Sequence, residues 1–438
     1  MKSFQLIATV VSISVAWCLP TTNLHSQTPT EPSGASSTVN EPSSENDAQP
    51  WTRFRGPEGR GVVSTSPVAW PWDVDRATRI SLPGTGIGSP VVWGDKAYLM
   101  SSFSDDASRY VIAVDWKRGS IEWQHSYTSV LHRLHSFSSY ASTTPAVDET
   151  GVVFAWGDPL RVLVKKFTHS GEEIWSRDLG RYVSQHGFGT SPILVDGLVI
   201  LLNSQDAEEL ERGVQPGEDR MIALNAETGS TVWERPLPTR RVCYGVPAVR
   251  RVDGATELVC ATTGQGIFGI DLKTGDIRWS HDCFRLRVCA SMVLEDGLAI
   301  ASHGSMGGKD NLLVAFDIQE GAERFRITRA APYVPTPLAY RGNLYLWSDA
   351  GIVSCISLED GRQLWSERIG GNFFSSPVIL GDAVVNVSDI GEITAIAASE
   401  NFKNLGTIKL DAKVRSTLAV TSSSLLLRAE DALWVIHP

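Results

Sequence analysis

Residues 111–123 read Val-Ile-Ala-Val-Asp-Trp-Lys-Arg-Gly-Ser-Ile-Glu-Trp, and the order of residue types in this stretch decides the fold. A small residue, Ala113, precedes Asp115 by two positions, Gly119 by six and Trp123 by ten. The same offsets recur in close copies at Ala223/Asn225/Gly229/Trp233, Gly269/Asp271/Gly275/Trp279 and Ala315/Asp317/Gly321/Phe325. They recur in degenerate copies at Lys165/Phe167/Gly171/Trp175, Cys355/Ser357/Gly361/Trp365 and Ala395/Ala397/Asn401/Leu405. Self-similarity of this kind indicates a repeat protein.

Each copy of the pattern predicts a β-hairpin. An alternating apolar strand enters a tight turn in which glycine takes a positive φ, and the following strand carries a large aromatic side chain. We expect these aromatic side chains to pack between neighbouring repeats as structural residues, namely Trp123, Trp175, Trp233, Trp279, Phe325 and Trp365.

A second mark precedes each copy and opens an apolar strand. These marks are Ser89-Pro90, Thr144-Pro145, Ser191-Pro192, Val246-Pro247, Ser291-Met292, Thr336-Pro337, Ser376-Pro377 and Thr417-Leu418. Successive marks lie 40 to 55 residues apart, which is the length of a four-stranded propeller blade. Eight marks therefore predict eight blades.

The last of these units lacks its fourth strand, because the chain stops after residues 433–436. Residues 78–82 form a spare outer strand before the first mark, since Leu82 precedes Pro90 by eight positions just as Ile369 precedes Pro377. We therefore predict an all-β fold, an eight-bladed β-propeller of four-stranded antiparallel blades whose last blade is closed by this N-terminal strand.

The N-terminal fifty residues differ in character from the rest. Residues 1–20 resemble a signal peptide, with Lys2 ahead of an apolar run that is shorter than the ~20 residues of a membrane span. Residues 21–50 are rich in Ser, Thr and Pro and predict a disordered linker, so that the propeller occupies residues 51–438. We expect a periplasmic or secreted protein with no later membrane span. Trp17 disfavours a lipid anchor at Cys18 without excluding it.

The charge and cysteine patterns exclude several classes of function. The net charge is −10 and the 39 basic residues are scattered, which argues against a nucleic-acid-binding face. No cysteine spacing matches a haem or metal site. Cys283 and Cys289 either pair across a short loop or remain buried free thiols. His132, His135 and His186 lack a carboxylate or cysteine at a readable spacing, so no metal site is predicted.

The A-x-D-x-x-T-G-x-x-x-W repeat resembles that of pyrroloquinoline-quinone (PQQ) enzymes, the tryptophan-docking motif of quinoprotein propellers. The resemblance covers roughly residue 51 to the C-terminus, and among eight-bladed relatives the chain resembles the BamB-like periplasmic scaffold group. The stretches Trp51-Thr-Arg-Phe-Arg-Gly-Pro57 and Tyr140-Ala-Ser-Thr-Thr-Pro145 resemble secreted PQQ-like propellers of planctomycete-type bacteria. Such a repeat is specific for fold and weak for function.

The resemblance implies two functions. The first is a non-catalytic binding or scaffold propeller with no cofactor, expected to be a monomer, whose partner is a protein, peptide or polysaccharide of the cell envelope. The alternative is a dehydrogenase of alcohols or sugars that uses PQQ with calcium. Catalytic relatives bind calcium through Glu, Asn and Asp oxygens and carry a disulfide between adjacent cysteines. This chain has no adjacent cysteine pair, and no residue can be matched to those ligands, so the first function is favoured.

Loop lengths predict where a binding site lies. The connection at residues 127–139 and the loop at 203–220 are both long, and the strand order brings both to one face of the propeller. Residues shortly before each inner strand should ring the axial channel on that face, where Tyr, Arg and His are typical of recognition surfaces. This predicted rim, which alternatively only plugs the channel, comprises Tyr140, His186, Tyr244, Arg287, Tyr333, Phe373 and Arg415. We also expect the acidic residues of 206–211 to attract a basic partner.

Overall fold

The computed structural model describes residues 50–208, 210–238 and 240–438. The predicted signal peptide, Cys18 and all but the last residue of the predicted linker lie outside the described residues. Helix in the described part is limited to two 3₁₀ turns, Pro57–Gly59 and Val74–Arg76. No helix there is long and apolar enough to span a bilayer.

The strands are numbered in chain order and grouped by blade. Before the first blade come β1 (Val62–Val63) and β2 (Thr78–Ser81). Blades 1 and 2 contain β3 (Val91–Trp93), β4 (Lys96–Ser102), β5 (Arg109–Asp115), β6 (Ser120–Tyr127), β7 (Ala146–Asp148), β8 (Gly151–Asp158), β9 (Arg161–Phe167) and β10 (Glu173–Asp178). Blades 3 and 4 contain β11 (Ile193–Val195), β12 (Leu198–Asn203), β13 (Arg220–Asn225), β14 (Thr231–Pro236), β15 (Ala248–Val252), β16 (Ala255–Thr262), β17 (Gly266–Asp271) and β18 (Ile277–His281).

The second half of the ring repeats this arrangement. Blades 5 and 6 contain β19 (Val293–Glu295), β20 (Leu298–His303), β21 (Leu312–Asp317), β22 (Ala322–Ile327), β23 (Leu338–Tyr340), β24 (Asn343–Trp347), β25 (Ile352–Ser357) and β26 (Gln363–Arg368). Blades 7 and 8 contain β27 (Val378–Leu380), β28 (Ala383–Val387), β29 (Glu392–Ala397), β30 (Asn404–Lys409), β31 (Ala419–Val420), β32 (Leu425–Ala429) and β33 (Ala432–Ile436).

The predicted ring of eight four-stranded antiparallel blades is confirmed, and so is its closure. Strand β2 pairs antiparallel with β33 and supplies the outer strand of blade 8, with Thr78 opposite Val435 and Ile80 opposite Leu433. The sequence did not predict β1, which pairs in parallel with the innermost strand of blade 7 and gives that sheet a fifth strand.

The apolar core lies between adjacent blades, and strand burial follows from this arrangement. Every residue of β8, a middle strand of blade 2, is buried, because both faces of that sheet pack against neighbouring blades. Exposed and half-buried residues alternate along β6, the outer strand of blade 1, because only one of its faces meets a neighbour.

The aromatic side chains of the repeat join each outer strand to the turn of the next blade. The indole N–H of Trp175 donates to the carbonyl of Ala226 at 3.1 Å, and its ring lies against Gly229. Gly229 has a φ of 71°, and a side chain there would come within 2.7 Å of the indole. Both the backbone conformation and the lack of space therefore require glycine at this position. Trp123, Trp233 and Trp365 make equivalent hydrogen bonds, and Phe325 packs on Gly361.

Trp279 departs from this pattern. Its N–H donates to Glu257 of its own blade at 3.0 Å, and its ring stacks on Phe316 of the next blade at 5.5 Å. The acceptor within its own blade replaces the carbonyl that the other tryptophans use. Trp279 still packs between blades, as predicted, through a different contact.

Hydroxyl groups link the blades around the axis. In seven blades the first residue of the strand mark accepts, through its side-chain oxygen, the backbone N–H of the equivalent residue in the preceding blade. The links are Ser89 to Thr144, Thr144 to Ser191, Val246 to Ser291, Ser291 to Thr336, Thr336 to Ser376, Ser376 to Thr417 and Thr417 to Ser89, each at 2.9–3.0 Å. The eighth link, from Ser191, is not possible because Val246 has no hydroxyl. We call these eight residues the axial ring.

The N-terminal segment before β1 crosses one end of the axial channel. The carbonyls of Trp51 and Thr52 accept hydrogen bonds from blades 1 and 2, at Val92 and Val147. Arg53 donates to the carbonyl of Pro247 in blade 4 at 2.6 Å, and the carbonyl of Gly61 accepts from blade 7. Bonds to blades this far apart in the ring place the segment across the channel.

The five described cysteines, Cys243, Cys260, Cys283, Cys289 and Cys355, are free thiols. Of the two alternatives for Cys283 and Cys289, the structure therefore has the unpaired thiols. Burial raises the pKa of Cys283 and of Cys289 to about 12, so both are protonated and unreactive at neutral pH.

Introducing a charge into the closing strand tests the closure. Ile80 is 4% exposed at the centre of β2, so Ile80→Asp places an unpaired charge against β33 and should cost about 3 kcal/mol or more. Ser81→Asp, one residue away on the exposed face of the same strand, is the control. Urea unfolding should separate the two variants, and equal stability would contradict the closing role of β2.

Completing the axial ring tests its contribution to stability. Val246→Thr supplies the missing acceptor for the backbone N–H of Ser191 and should raise the free energy of unfolding by about 1 kcal/mol. Thr417→Val, which removes the acceptor for Ser376, should lower the free energy of unfolding by about 1–3 kcal/mol. Urea unfolding measures both variants, and a loss of stability in both would contradict the stabilising role of the axial-ring hydrogen bonds.

Candidate functional site

A cavity of about 330 Å³ lies at the axis, on the face from which the long loops emerge. All eight residues of the axial ring line it and form its floor. Phe54, from the segment that crosses the channel, also lines it. The channel therefore ends in a chamber open on one side.

A second layer stands above the floor, two residues earlier in each blade. Its members all line the cavity: Ile87, Ser142, Gly189, Tyr244, Cys289, Val334, Phe374 and Arg415. The spacing follows from the extended backbone, in which alternate side chains point the same way. The first residue of each strand mark and the residue two positions before it thus face the axis in every blade.

The long connection between blades 1 and 2 forms one wall. Its residues His135, Phe137 and Ser138 line the cavity. The ring of Phe137 contacts Phe374 of blade 7, with centroids 4.9 Å apart. The guanidinium of Arg415, from blade 8, lies over both rings at 5.1 and 5.3 Å. This connection therefore reaches across the cavity mouth.

Arg109 fixes the base of that connection. Its buried guanidinium donates to the carbonyls of Tyr140 at 2.9 Å and Gly157 at 2.7 Å, and also to the hydroxyl of Ser129. Ser129 in turn donates to Asp158 of blade 2 at 2.7 Å. Two blades and the connection are thereby joined around one buried side chain.

The second long loop, between β12 and β13, supports the opposite wall. Asp206 is 1% exposed and accepts the backbone N–H groups of Gln185 at 3.0 Å and Val242 at 2.8 Å. It also pairs with Arg287 at 3.4 Å. Asp206 therefore does not add to the exposed acidic charge expected of residues 206–211, because its carboxylate is buried and already paired.

A contact between the two long loops confirms that they share a face. Arg133 of the first loop pairs with Glu211 of the second, with 3.1 Å between the charged atoms. Glu211 thus already has a partner within the protein, although the pair is exposed.

Five of the seven predicted rim residues line the cavity: His186, Tyr244, Arg287, Tyr333 and Arg415. Tyr140 and Phe373 do not. The Tyr140 ring lies against Arg109 at 5.4 Å, and its hydroxyl donates to the carbonyl of His132 at 2.6 Å. Phe373 is 2% exposed and packs on Trp347, because its register places it on the far side of the strand from Phe374. The binding role of the rim stays a prediction.

The predicted rim did not include Phe374, Phe137 and His135. An offset of two before the first residue of each strand mark would have selected Phe374, since that offset gives a lining residue in all eight blades. Phe137 and His135 have no such signal, because the path of the long connection depends on tertiary contacts.

Histidines meet within the cavity without forming a metal site. The rings of His135 and His186 lie 5.1 Å apart, and burial lowers the pKa of His186 to about 4. His186 is therefore neutral at pH 7. No group of three or more metal-ligating side chains occurs among the described residues.

The cavity does not fit a calcium–quinone centre. Calcium prefers carboxylate and amide oxygens, and no Asp, Glu, Asn or Gln is among the lining residues. Of the described cysteines only Cys289 lines the cavity, so the adjacent-cysteine disulfide of catalytic relatives has no counterpart there.

These features define an eight-bladed quinoprotein-type propeller with an axial cavity. A family model described as "Outer membrane protein assembly factor BamB" matches residues 68–212, 162–338 and 334–401, which is well over half of the chain. The chain belongs to this family.

Individual relatives are distant. The chain is 24% identical over 360 residues to the outer membrane protein assembly factor BamB of Burkholderia pseudomallei, across 74% of this chain and 86% of that protein. Among solved structures, BamB from Moraxella catarrhalis aligns with a TM-score of 0.56 and 16% identity, over 83% of this chain and 98% of that one. A europium-containing methanol dehydrogenase aligns with a TM-score of 0.63 and 12% identity, over 88% and 89%. At such identities the structural matches show the fold alone.

Buried histidines should make the protein acid-sensitive. Burial lowers the pKa of His303, like that of His186, from 6.5 to about 4, and Nδ1 of His303 accepts the N–H of Leu286 at 2.7 Å. Below about pH 6.5 the unfolded chain binds protons that the folded chain excludes until about pH 4, so the free energy of unfolding should fall across this window.

The variant His303→Asn keeps an acceptor for Leu286 but cannot take up a proton. Urea unfolding between about pH 4 and pH 7 should show a shallower decline for this variant than for the parent. His437→Asn, near the C-terminus, is the control. A decline of unchanged slope in His303→Asn would contradict the assignment.

Proposed function

We propose that this protein is a non-catalytic propeller of the cell envelope that binds a protein partner through the face that carries the cavity. The observation that carries the proposal is the uneven distribution of exposed apolar side chains. Of the ten large apolar side chains exposed in the described residues, seven lie in loops on this face: Phe103, Val130, Leu131, Leu160, Val214, Met306 and Ile390. Exposed apolar groups concentrated on one face are typical of interaction surfaces.

Four of the seven belong to loops of blades 1 and 2 that are held together. Leu131 follows Ser129 by two positions in the chain. Ser129 bonds to Asp158, and Asp158 also accepts the backbone N–H of Leu160 at 2.9 Å. Phe103 packs edge-on against Tyr110 at 5.6 Å, and Val130 precedes Leu131. A surface fixed in this way loses little conformational entropy on binding, which favours affinity.

The family supports a protein partner and an envelope location. Relatives carry the name "outer membrane protein assembly factor", which implies work alongside other envelope proteins. We infer by this likeness that the chain acts in the periplasm or at the outer membrane, and that its partner is a protein of an assembly machinery.

The quinoprotein dehydrogenase alternative has weaker support. It rests on structural neighbours such as the methanol dehydrogenase, which share the fold, while the cavity lining does not suit calcium. Purified protein supplied with PQQ and calcium should give no dye-coupled oxidation of alcohols or aldoses. Turnover that a chelator abolishes would overturn the proposal.

Replacing apolar side chains on the cavity face should abolish partner binding. Leu131→Ser with Leu160→Ser removes two strongly exposed leucines, at 56% and 68%, with little effect on stability. We expect at least tenfold lower recovery of a specific envelope protein in pull-downs from solubilised envelopes, measured by quantitative mass spectrometry.

The matched control is Ile174→Ser with Val232→Ser, two residues of similar exposure on outer strands β10 and β14. This control should recover the partner as the parent does. Equal recovery by parent, control and the leucine variant would place the interface elsewhere on the molecule.

A further inference from the structure

The floor of the cavity presents hydrogen-bond donors. In seven of the eight blades the axial ring carries a hydroxyl whose oxygen accepts a backbone N–H, so its own proton points elsewhere. No described group of the protein accepts a hydrogen bond from these seven hydroxyls. All are at most 6% exposed and line the cavity. The floor therefore offers convergent O–H donors to whatever occupies the chamber.

One wall adds a positive charge that the protein does not neutralise. Arg415 makes no ion pair among the described residues, and its guanidinium is held only by the rings of Phe137 and Phe374. Two further arginines line the cavity, Arg287, which pairs with Asp206, and Arg241. No aspartate or glutamate lines the cavity. An arginine in this setting has its N–H fork available for an oxyanion.

Apolar and aromatic side chains form part of the remaining lining. Phe137, Phe374, Tyr244 and Met306 surround the space above the floor. The volume of about 330 Å³ lies at the lower end of ligand pockets, roughly 300–1,000 Å³. A compact body such as one aromatic ring with a short substituent fits within this volume.

We propose that the axial cavity binds an oxyanion, a carboxylate or a phosphate monoester, carried by a compact apolar group and held by Arg415 and the hydroxyls of the axial ring. A cation would meet Arg415 with no carboxylate to offset it. A neutral ligand would bury the guanidinium without pairing it, which costs free energy. The proposal does not depend on whether a protein partner binds the face that carries the cavity, and it needs no metal.

Three probes of similar shape test the proposal: benzoate, phenyl phosphate and benzyl alcohol. In calorimetry or ligand-observed NMR on the full chain, with a chelator present, at least one of the two anions should bind at least tenfold more tightly than benzyl alcohol. Whichever anion binds more tightly identifies the carboxylate or the phosphate monoester as the favoured group. Rising salt should weaken the binding, because it rests on charge.

Arg415→Gln should lower the affinity for the anion at least tenfold. The matched control is Arg341→Gln, since Arg341 also lies over an aromatic ring, that of Tyr340 at 4.7 Å, but in an exposed turn between β23 and β24 on the opposite face. The control should bind as the parent does, and both variants should melt at similar temperatures. Benzyl alcohol binding as tightly as both anions, unchanged affinity in Arg415→Gln, or loss of binding with the chelator would each overturn the proposal.

Discussion

The hydrogen bonds of the axial ring are the constraint on which the rest of the structure depends. Each links a backbone N–H of one blade to a hydroxyl of the next, at nearly constant length, so the inner strands share one spacing and one orientation. A fixed orientation places the first residue of every strand mark, and the residue two positions before it, on the axis. The floor and second layer of the cavity thus result from the same bonds that hold the blades together.

The repeat was enough to predict the fold because its signals are local. Turn glycines, alternating strands and an aromatic at a constant offset each report backbone geometry within one blade, and eight strand marks define the ring. The closing role of β2 followed from counting strands, since an unpaired edge needs a partner. Strand β1 and the segment across the channel carried no such signal, because their pairing is with distant blades.

The candidate site was partly predictable for a related reason. Tyr244 and Arg415 lie at the constant offset and line the cavity, whereas Phe373 lies one residue away and points to the opposite side. Tyr140 was misplaced because the long connection that follows blade 1 is organised by Arg109, through contacts that no spacing reveals. The sequence suggested that Asp206 is an exposed acidic residue. Its bonds to two backbone amides and to Arg287 instead make it part of the loop's interior.

The pairing of β2 with β33 also has a consequence for the order of folding. The two strands are separated by some 350 residues, so ring closure must wait until β33 has been synthesised. Blades 1 to 7 draw their four principal strands from contiguous sequence and can form in turn as the chain emerges, but the array stays an open arc with two bare flanks. That arc is the species most exposed to aggregation, and a chaperone that protects this protein would act on its flanks before the last strand arrives.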